Sequence, residues 1–376
     1  MDSKKNWGNR PWRIDFRPQR HSLPAAVDFA VVGGGFSGLA AAIRLKTLAP
    51  SESVVLLEAG SIGSGASGHT GGVALAETAA GDLPGLGDVL AGYKKFIQEH
   101  KLQTDLHLPG CKELSRSNPL PDSSIRWNDS GALCATKEVP GGTIDPGKTV
   151  SELARAAEQA GVWIFENVPV TNAKFDNPAQ IELQTESGSL GVGRALFATN
   201  AFALELTGIQ GHAAFTTAVL TESLPDDVLG HIGVADRKPF YTVDLPYLWG
   251  RLVGTAIMFG SGLLFFEDWR GLHTLDIDAG DAPEAFQRLE DRVHKLHPAL
   301  AAVKFTHRWG GPICISDDWK PVFSRHPRSE NALVLGAFSG HGVAQSVYFG
   351  IWAAEVLLDR RAPPDWGCCG DRRKPM

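Results

Sequence analysis

Asp28-Phe29-Ala30-Val31-Val32-Gly33-Gly34-Gly35-Phe36-Ser37-Gly38 is the stretch that decides the fold. A short apolar run predicts a buried strand, Gly33-x-Gly35-x-x-Gly38 follows at once, and an Ala- and Leu-rich helix pattern continues to Leu48. A second apolar run, Ser53 to Leu57, ends on Glu58, 20 positions after Gly38. These are the parts, in order, of a dinucleotide-binding βαβ unit.

Each residue of this unit has a physical role. Gly33 permits the tight turn, Gly35 lets the backbone approach a pyrophosphate at the helix N-terminus, and Gly38 lets helix and strand pack closely. Glu58 is placed to accept a hydrogen bond from a ribose hydroxyl. The alternative is a glycine-rich loop that only packs, but the strands, helix and acid in register favour a bound dinucleotide.

Composition narrows the class of protein. A chain of 376 residues with 43% hydrophobic and 21% charged residues is expected to form a globular protein of two domains. The net charge is -6 without long blocks of like charge, which gives no support for nucleic-acid binding. Apolar stretches are too short for a membrane span, and Met1 to Pro24 lacks the apolar core of a signal peptide, so we expect a cytoplasmic protein.

The five cysteines match no zinc-binding spacing, and no metal site is expected. Because their number is odd, reduced thiols are the favoured interpretation for Cys111, Cys134 and Cys314. Cys368 and Cys369 lie in a Pro- and Arg-rich tail, where a vicinal disulfide or an adventitious metal site is the alternative to a flexible tail.

The rest of the chain alternates helix and strand patterns. Residues 1–27 predict an extended arm lying on the folded body. Residues 60–72, with six glycines, predict a loop without a side-chain core, suited to close approach of a ligand. Further patterns predict helices over 84–101, 148–160 and 283–297, strands over 162–165, 180–185 and 194–198, short strands within 106–140, and an antiparallel sheet over 212–270.

A second strand–glycine–helix unit lies near the C-terminus. The apolar strand Ala332 to Leu335 leads into Gly336-Ala-Phe-Ser-Gly340-His341-Gly342, and a helix is expected from Val343 to Leu358. A nucleotide domain assembled from both chain ends fits this arrangement. The predicted fold is α/β, with a Rossmann-like cofactor domain over 28–80, 141–210 and 308–362, an antiparallel-sheet substrate domain over 81–140 and 211–307, and a flexible tail over 363–376.

These motifs resemble a known family, the D-amino-acid-oxidase-type FAD-dependent oxidoreductases, which includes glycine oxidase and monomeric sarcosine oxidase. The gamma-glutamylputrescine oxidoreductase branch is the most similar, since it also has a Trp/Pro-rich arm before the first strand. The resemblance covers nearly the whole chain. It rests on the ordered motifs 31–41, Leu57-Glu58-Ala59, Gly65-Ala66-Ser67-Gly68, Ile144-Asp145-Pro146, Ala198-Thr199-Asn200-Ala201, Trp309-Gly-Gly-Pro312 and Phe338-Ser-Gly-His-Gly342.

The resemblance implies where FAD is held. The ADP half would lie on the glycine motif and Glu58, with the adenine against the backbone of Val168. The pyrophosphate and the flavin edge would lie on the 60–72 loop. The N1 side of the flavin would lie against the start of the last helix. That last role also follows from charge, because helix N-terminal amides stabilise the negative charge left by an arriving hydride. The implied cofactor residues are Gly33, Gly35, Phe36, Ser37, Gly38, Glu58, Ala59, Ser64, Ala66, Ser67, His69, Thr70, Gly71, Val168, Thr199, Asn200, Gly340, His341, Gly342, Val343 and Ala344.

Two histidines have more than one interpretation. In dimethylglycine dehydrogenase relatives, a histidine at about the position of His69 carries the flavin covalently. Covalent flavin, non-covalent flavin contact and ordinary loop packing therefore remain open for His69. His341 is either a structural residue of a tight turn or a flavin contact whose titration near neutrality tunes activity.

Candidate substrate residues lie on one predicted strand. Tyr247, Trp249 and Arg251 alternate, so all three could share a face, with the aromatics forming a cage for an amine cation and Arg251 binding a carboxylate. The alternative is an aromatic core face with a surface arginine. Lys320 and Gln345 complete the candidate set, with a surface lysine as the alternative for Lys320.

The chain departs from its sarcosine-oxidase relatives in two respects. Those relatives have a lysine for the substrate carboxylate where this chain has Ala344, and the stretch from Tyr247 to Phe266 contains no lysine to activate oxygen. The absence of these lysines favours an amine substrate, or an electron acceptor other than oxygen.

The expected activity is oxidation of a C–N bond of an amine or amino acid to an imine, by hydride transfer to FAD, with oxygen or another acceptor taking the electrons. The catalytic candidates are Tyr247, Trp249, Arg251, His341 and Lys320. Two other functions fit the same fingerprint: an NAD-dependent dehydrogenase, and an FAD-binding subunit that transfers electrons without its own substrate.

Overall fold

The computed structural model describes residues 5–116 and 122–367, which form two eight-stranded β-sheets. The strands are β1 (Ala26–Val32), β2 (Val54–Leu57), β3 (Val73–Leu75), β4 (Cys111–Ser115), β5 (Arg126–Asn128), β6 (Ala132–Val139), β7 (Gly141–Thr143), β8 (Trp163–Phe165), β9 (Val170–Asn177), β10 (Gln180–Thr185), β11 (Gly188–Phe197), β12 (His212–Thr221), β13 (Phe240–Thr242), β14 (Leu248–Val253), β15 (Ala256–Phe266), β16 (Phe305–Ile315), β17 (Val322–His326) and β18 (Ser329–Gly336).

Nine α-helices accompany the sheets within the described residues, together with 3-10 turns at Pro298–Leu300 and Asp365–Gly367. The helices are α1 (Phe36–Leu48), α2 (Ala66–His69), α3 (Val89–Glu99), α4 (Pro146–Gln159), α5 (Leu204–Thr207), α6 (Asp226–Ile232), α7 (Gly271–Thr274), α8 (Ala282–Leu296) and α9 (Gly342–Leu357).

The first sheet confirms the predicted Rossmann-like unit. Its strand order is β17-β18-β11-β1-β2-β8, and β1 is parallel to both β2 and β11. The strand β18, from the other end of the chain, is parallel to β11, so both chain ends build one sheet as predicted. Helices α1 and α9 pack together beside it, and Gly350 permits this because a Cβ there would lie 2.3 Å from the carbonyl oxygen of Ser37.

The second sheet has the order β16-β12-β15-β14-β13-β4-β6-β5 and is antiparallel except between β13 and β4. Helix α8 packs against β12 and β15 through a buried stripe at Phe286, Leu289 and Val293, the spacing expected of an amphipathic helix. The proposed domain boundary at residue 308 falls inside β16, which pairs with β12 of this sheet as far as Ile315.

Several predicted elements were misplaced. Helix α3 is shorter than 84–101, because Asp88 caps it by accepting from the amide of Ala91. Strand β11 begins at Gly188, well before residue 194, because the turn at 186–188 forms a hairpin with β10. The 60–72 loop was predicted to lack a core, but Ile62 is buried among apolar side chains and α2 forms within the loop.

The N-terminal arm is extended and lies on the body, as predicted. Trp7 and Trp12 are buried, and their indole nitrogens donate to the carbonyls of Leu272 (3.0 Å) and Gly68 (2.8 Å). These two anchors tie the arm to helix α7 and to the 60–72 loop.

At the other end, Trp366 packs against Phe349 and Trp352 of α9, so the chain remains anchored up to this point. The remaining predicted tail, with Cys368 and Cys369, lies outside the described residues. Cys111, Cys134 and Cys314 are free thiols. No helix within 5–116 and 122–367 combines the length and apolar character needed to cross a membrane.

Candidate active site

A cavity of about 970 Å³ lies between the two sheets. One wall comes from the turn after β1 and the end of β2, and the opposite wall from β12, β14, β15 and β16. The 60–72 loop and the start of α9 line the space between these walls. Its volume is at the upper end of the range for ligand sites, and its lining is mainly apolar.

The turn after β1 depends on glycine. Gly33 has a φ of +111°, and a Cβ there would lie 2.6 Å from the carbonyl oxygen of Ala198. A Cβ on Gly38 would lie 2.0 Å from the carbonyl oxygen of Gly33, so helix and strand could not approach. Helix α1 has Gly35 at its N-cap, with no side chain capping it, which leaves its N-terminus facing the cavity.

Glu58 follows β2 and lines the cavity. Its carboxylate accepts from the amide of Gly34 at 2.7 Å and from the amide of Gly60 at 2.9 Å. Burial raises the pKa of this carboxyl, while the two amides act in the opposite direction. The acid is therefore held in place beside the glycine turn.

The 60–72 loop is fastened to the glycine turn by Ser67, whose hydroxyl accepts from the amide of Phe36 at 2.9 Å. Lys5 of the arm reaches the same region, where its amino group donates to the carbonyl of Ser64 at 3.4 Å and lies 3.9 Å from the centre of the Trp7 ring. The arm thus places a cation at the Glu58 end of the cavity.

His69 is bonded through both ring nitrogens. Nδ1 lies 2.9 Å from the carbonyl oxygen of Gly65, and Nε2 lies 2.8 Å from Nη1 of Arg10. Because the guanidinium can only donate, Nε2 accepts and Nδ1 carries the proton, which assigns the neutral tautomer. Burial, with the nearby charge of Arg10, lowers the pKa of His69 to about 3.

The C-terminal return ends at the N-terminus of α9. Ala337 and Ser339 have positive φ angles, and the side-chain oxygen of Asn200 accepts from the amide of Ala337 at 3.0 Å. His341 is the N-cap of α9 but makes no side-chain cap bond, so this helix N-terminus also faces the cavity. Burial lowers the pKa of His341.

The second sheet presents a row of paired residues across five strand interfaces: Glu113 pairs with Tyr241, Tyr241 with Trp249, Trp249 with Gly260, Gly260 with Ala218, and Ala218 with Trp309. Directly paired residues share a face of a sheet. The Trp249 indole lies over Gly71 and Gly260, where a Cβ would come within 2.1 and 2.0 Å of its ring. This face is the roof of the cavity.

Most residues predicted for the site do line the cavity. They are Gly33, Gly35, Phe36, Ser37, Glu58, Ala59, Ser64, Ala66, Ser67, His69, Thr70, Gly71, Thr199, Asn200, Gly340, His341, Gly342, Val343, Tyr247 and Trp249.

Three predicted cofactor residues are not in the lining, for steric reasons. Gly38 packs against Gly33 behind the turn. Val168 donates its amide to the carbonyl of Glu58 at 2.9 Å, and its neighbours Pro169 and Val170 line the cavity instead. Ala344 is fully buried within α9.

Three predicted substrate residues also lie outside the lining. The Nε of Arg251 donates to the carbonyl of Gly71 at 2.6 Å, and burial lowers the pKa of this guanidinium to about 10. The amide nitrogen of Gln345 donates to the carbonyl of Glu77. Lys320 is 41% exposed and pairs with Asp318 at 3.3 Å, away from the cavity.

Sequence reasoning missed five residues of the site. Lys5 and Arg10 reach it through the arm, and Glu77, Glu113 and Tyr241 through the pairing of distant strands. The Arg10 contact spans 59 positions, and no local pattern marks it.

The lining fits a dinucleotide. Two helix N-termini whose N-cap residues make no side-chain cap bond, those of α1 and α9, face the same cavity, and each favours negative charge. The hydroxyl of Thr199, in the lining between them, is buried and has no hydrogen-bond partner among the described residues. An elongated ligand with a charged centre would interact with both helix N-termini and form a hydrogen bond with this hydroxyl.

The fold and this cavity define a protein with a Rossmann-like sheet and a cavity, suited to a dinucleotide, beneath an antiparallel sheet. A sequence model of the family described as FAD dependent oxidoreductase matches residues 28–135 and 129–356. The chain belongs to this family, and it is an FAD-dependent oxidoreductase.

Individual relatives agree with this assignment. A probable oxidoreductase, OrdL, of Rhizobium meliloti is 25% identical, covering 94% of this chain and 88% of its own length. The gamma-glutamylputrescine oxidoreductase of Escherichia coli is 24% identical, covering 88% and 83%. The solved structure of L-amino acid deaminase from Proteus myxofaciens shares the fold, with a TM-score of 0.75, 15% identity and coverage of 100% and 98%.

Proposed function

We propose that this protein oxidises a C–N bond of an amine or amino acid to an imine. The observation that carries the proposal is that the glycine turn, the α9 N-terminus and the roof of the second sheet line one cavity. Relatives named as acting on amino compounds, among them the gamma-glutamylputrescine oxidoreductase, support the substrate class.

FAD would be held along this cavity. The glycine turn and Glu58 would hold the ADP half, and the 60–72 loop with the α9 N-terminus would hold the flavin. When bound, FAD supplies the two-electron acceptor for the hydride that leaves the carbon beside the nitrogen. The nitrogen loses a proton in the same oxidation, and water then hydrolyses the imine.

The protein's own residues orient the substrate, exclude water and supply electrostatic stabilisation. The amides at the start of α9, at Gly342 and Val343, face the cavity where negative charge develops. The indole of Trp249, fixed between Gly71 and Gly260, provides a rigid surface against which an alkyl chain can be aligned.

His69 is proposed as a non-covalent contact of the flavin. Its Nε2 is engaged by Arg10 and its Nδ1 by Gly65, so neither nitrogen has a free lone pair for a bond to the cofactor. We also propose a cytoplasmic location, and oxygen or another small oxidant as the final electron acceptor.

An absorbance scan and an acid precipitation of the purified protein test the cofactor. We expect visible flavin bands, with the colour released into the acid supernatant as FAD. Colour retained in the pellet would contradict the non-covalent assignment. A colourless protein that binds NAD would favour the NAD-dependent dehydrogenase.

Anaerobic mixing with a panel of amines and amino acids tests the reaction. We expect at least one of them to bleach the flavin bands. If none does, the electron-transfer subunit becomes the better description of this FAD-binding protein.

A further inference from the structure

Two carboxylates in the cavity flank one phenol. The hydroxyl of Tyr241 lies 2.7 Å from Oε1 of Glu77 and 3.2 Å from Oε2 of Glu113. All three side chains are partly buried and line the cavity. Burial and the two carboxylates raise the pKa of Tyr241, so the phenol keeps its proton.

One proton cannot serve two carboxylates. The hydroxyl donates to one of them, and the other needs a second donor or a positive charge. Among the described residues no Lys, Arg or His nitrogen lies within 4.0 Å of Glu77 or Glu113. Lys137 is paired with Glu113 across β4 and β6, but its side chain is exposed and forms no such ion pair.

A buried residue behind the cavity lining holds the backbone of Glu77. Gln345 is fully buried, and its amide nitrogen donates to the backbone carbonyl of Glu77. Its Oε1 is buried and has no hydrogen-bond partner among the described residues. In the cavity itself, the two carboxylates of Glu77 and Glu113 share the single hydroxyl of Tyr241.

Lys5 and Arg251, two cationic side chains near the cavity, are bonded to groups other than Glu77 and Glu113. Lys5 lies at the Glu58 end, bonded to the carbonyl of Ser64. The Nε and Nη1 of Arg251 donate to the carbonyls of Gly71 and Leu252, and this side chain is not part of the lining. A substrate carboxylate near Glu77 and Glu113 would meet negative charge without a compensating arginine or lysine.

The spacing of the strands gives the distance between Glu113 and Trp249, a residue in the roof of the cavity. Glu113, Tyr241 and Trp249 occupy neighbouring strands in register, so Glu113 is two strand spacings, roughly 10 Å, from Trp249. The distance between Glu113 and Trp249 corresponds to the length of a short alkyl chain. The lining of the cavity also includes the exposed apolar side chains of Val243, Leu245 and Phe265.

We propose that Glu77, Glu113 and Tyr241 anchor a distal cationic nitrogen of the substrate, so the substrate is a diamine or polyamine that carries an ammonium group, and no carboxylate, at the end opposite the oxidised carbon. This inference rests on the proposed function. The anchored nitrogen is not the reacting one, because carboxylates stabilise the ammonium form and loss of a hydride requires a neutral amine. An alkyl chain would join the two nitrogens across the roof.

The test uses three matched series of compounds on the FAD-loaded protein. They are the α,ω-diamines from ethylenediamine to cadaverine, the monoamines of the same length, and the ω-amino acids of the same length. Apparent dissociation constants come from anaerobic flavin absorbance titrations and from the concentration dependence of flavin bleaching. We expect at least one diamine to bind about tenfold or more tightly than its monoamine, with the ω-amino acid weakest.

Glu77→Gln and Glu113→Gln test the residues. Each should reduce the diamine preference by about fivefold or more and leave monoamine binding within about twofold. Glu284→Gln, on the exposed face of α8, is the matched control with the same loss of charge and should keep the preference. Flavin content and thermal unfolding temperatures verify that each variant is folded.

The outcomes separate this inference from the proposed function. If the protein binds FAD and amines bleach it, but no diamine is preferred or the preference survives in both glutamine variants, the anchor is wrong and the activity stands. Tight binding of ω-amino acids also overturns the anchor. If FAD is absent, or no amine or amino acid bleaches it, the proposed function itself fails.

Discussion

Arg10 donates to Nε2 of His69 across 2.8 Å, which joins the N-terminal arm to the 60–72 loop that lines the cavity. The contact keeps His69 neutral and fixes its proton on Nδ1, which faces the carbonyl of Gly65. An arm that precedes the first strand therefore takes part in forming the cavity.

Acid should destabilise the protein through His69. Its pKa is lowered from 6.5 to about 3, so the unfolded chain takes up this proton first as the pH falls. The stabilising contribution is full above pH 6.5 and is lost progressively toward a pH of about 3, with a slope of up to about 1.4 kcal/mol per pH unit. Urea unfolding over this pH range measures it.

His69→Asn keeps a donor toward Gly65 but does not titrate, so its free energy of unfolding should depend less steeply on pH than that of the unaltered protein. Arg13→Gln, an exposed change in the same arm, should leave the slope unchanged. Equal slopes for His69→Asn and the unaltered protein would show that His69 is not held neutral.

Gly71→Ala should disturb the roof of the cavity. The added Cβ would lie 2.1 Å from the Trp249 ring, which also lies against Gly260 and has little room to move. We expect a loss of about 1–3 kcal/mol in the free energy of unfolding, measured in urea. Trp249→Leu in the same background should recover part of that loss.

Gly230→Ala provides the control for this series, because a Cβ on Gly230 meets no atom within 4 Å. Its stability should be unchanged or slightly raised. If Gly71→Ala is as well tolerated as Gly230→Ala, the indole does not occupy the position described.

Arg251→Gln should lower stability without changing which substrates are accepted. The guanidinium is buried and donates to backbone carbonyls, so its loss leaves acceptors unpaired and should cost about 1.5–3 kcal/mol. Arg237→Gln, which removes an exposed guanidinium bonded to the carbonyl of Gly254, should cost less. A stable Arg251→Gln variant that selectively loses affinity for amino acids would instead support a carboxylate-binding role.

Glu58→Gln should weaken FAD more than FMN. The carboxylate accepts from two backbone amides beside the proposed ribose position, and a neutral amide cannot accept through both of its heavy atoms. We expect the dissociation constant for FAD to rise about tenfold and that for FMN, which lacks the ADP half, to stay within about twofold. Flavin fluorescence quenching of the apoprotein gives both constants, and equal losses would indicate a general effect on folding.

The sequence was sufficient for the parts of the site whose chemistry is local. Gly33 is required by its positive φ in the turn and Gly38 by its contact with Gly33, both local to the βαβ unit, so their spacing alone predicted the turn. Glu58 followed from the end of the second strand. The return at residues 338–342 was recognisable because it repeats the same strand–glycine–helix order.

The substrate side could not be predicted in the same way. Tyr241 is 164 positions from Glu77 and 128 from Glu113, and only the register of β13 with β4 brings them together. Arg251 lies on the predicted strand, but the carbonyl of Gly71, contributed by a distant loop, engages its guanidinium. Both results depend on tertiary pairing, which alternation along one strand does not encode.

Anaerobic absorbance spectroscopy of the purified protein, before and after addition of amines and amino acids, tests the central claim most directly. The account predicts the bands of oxidised flavin in the resting protein and their bleaching by at least one of these compounds. A protein without flavin bands, or with bands that none of these compounds bleaches, would contradict it.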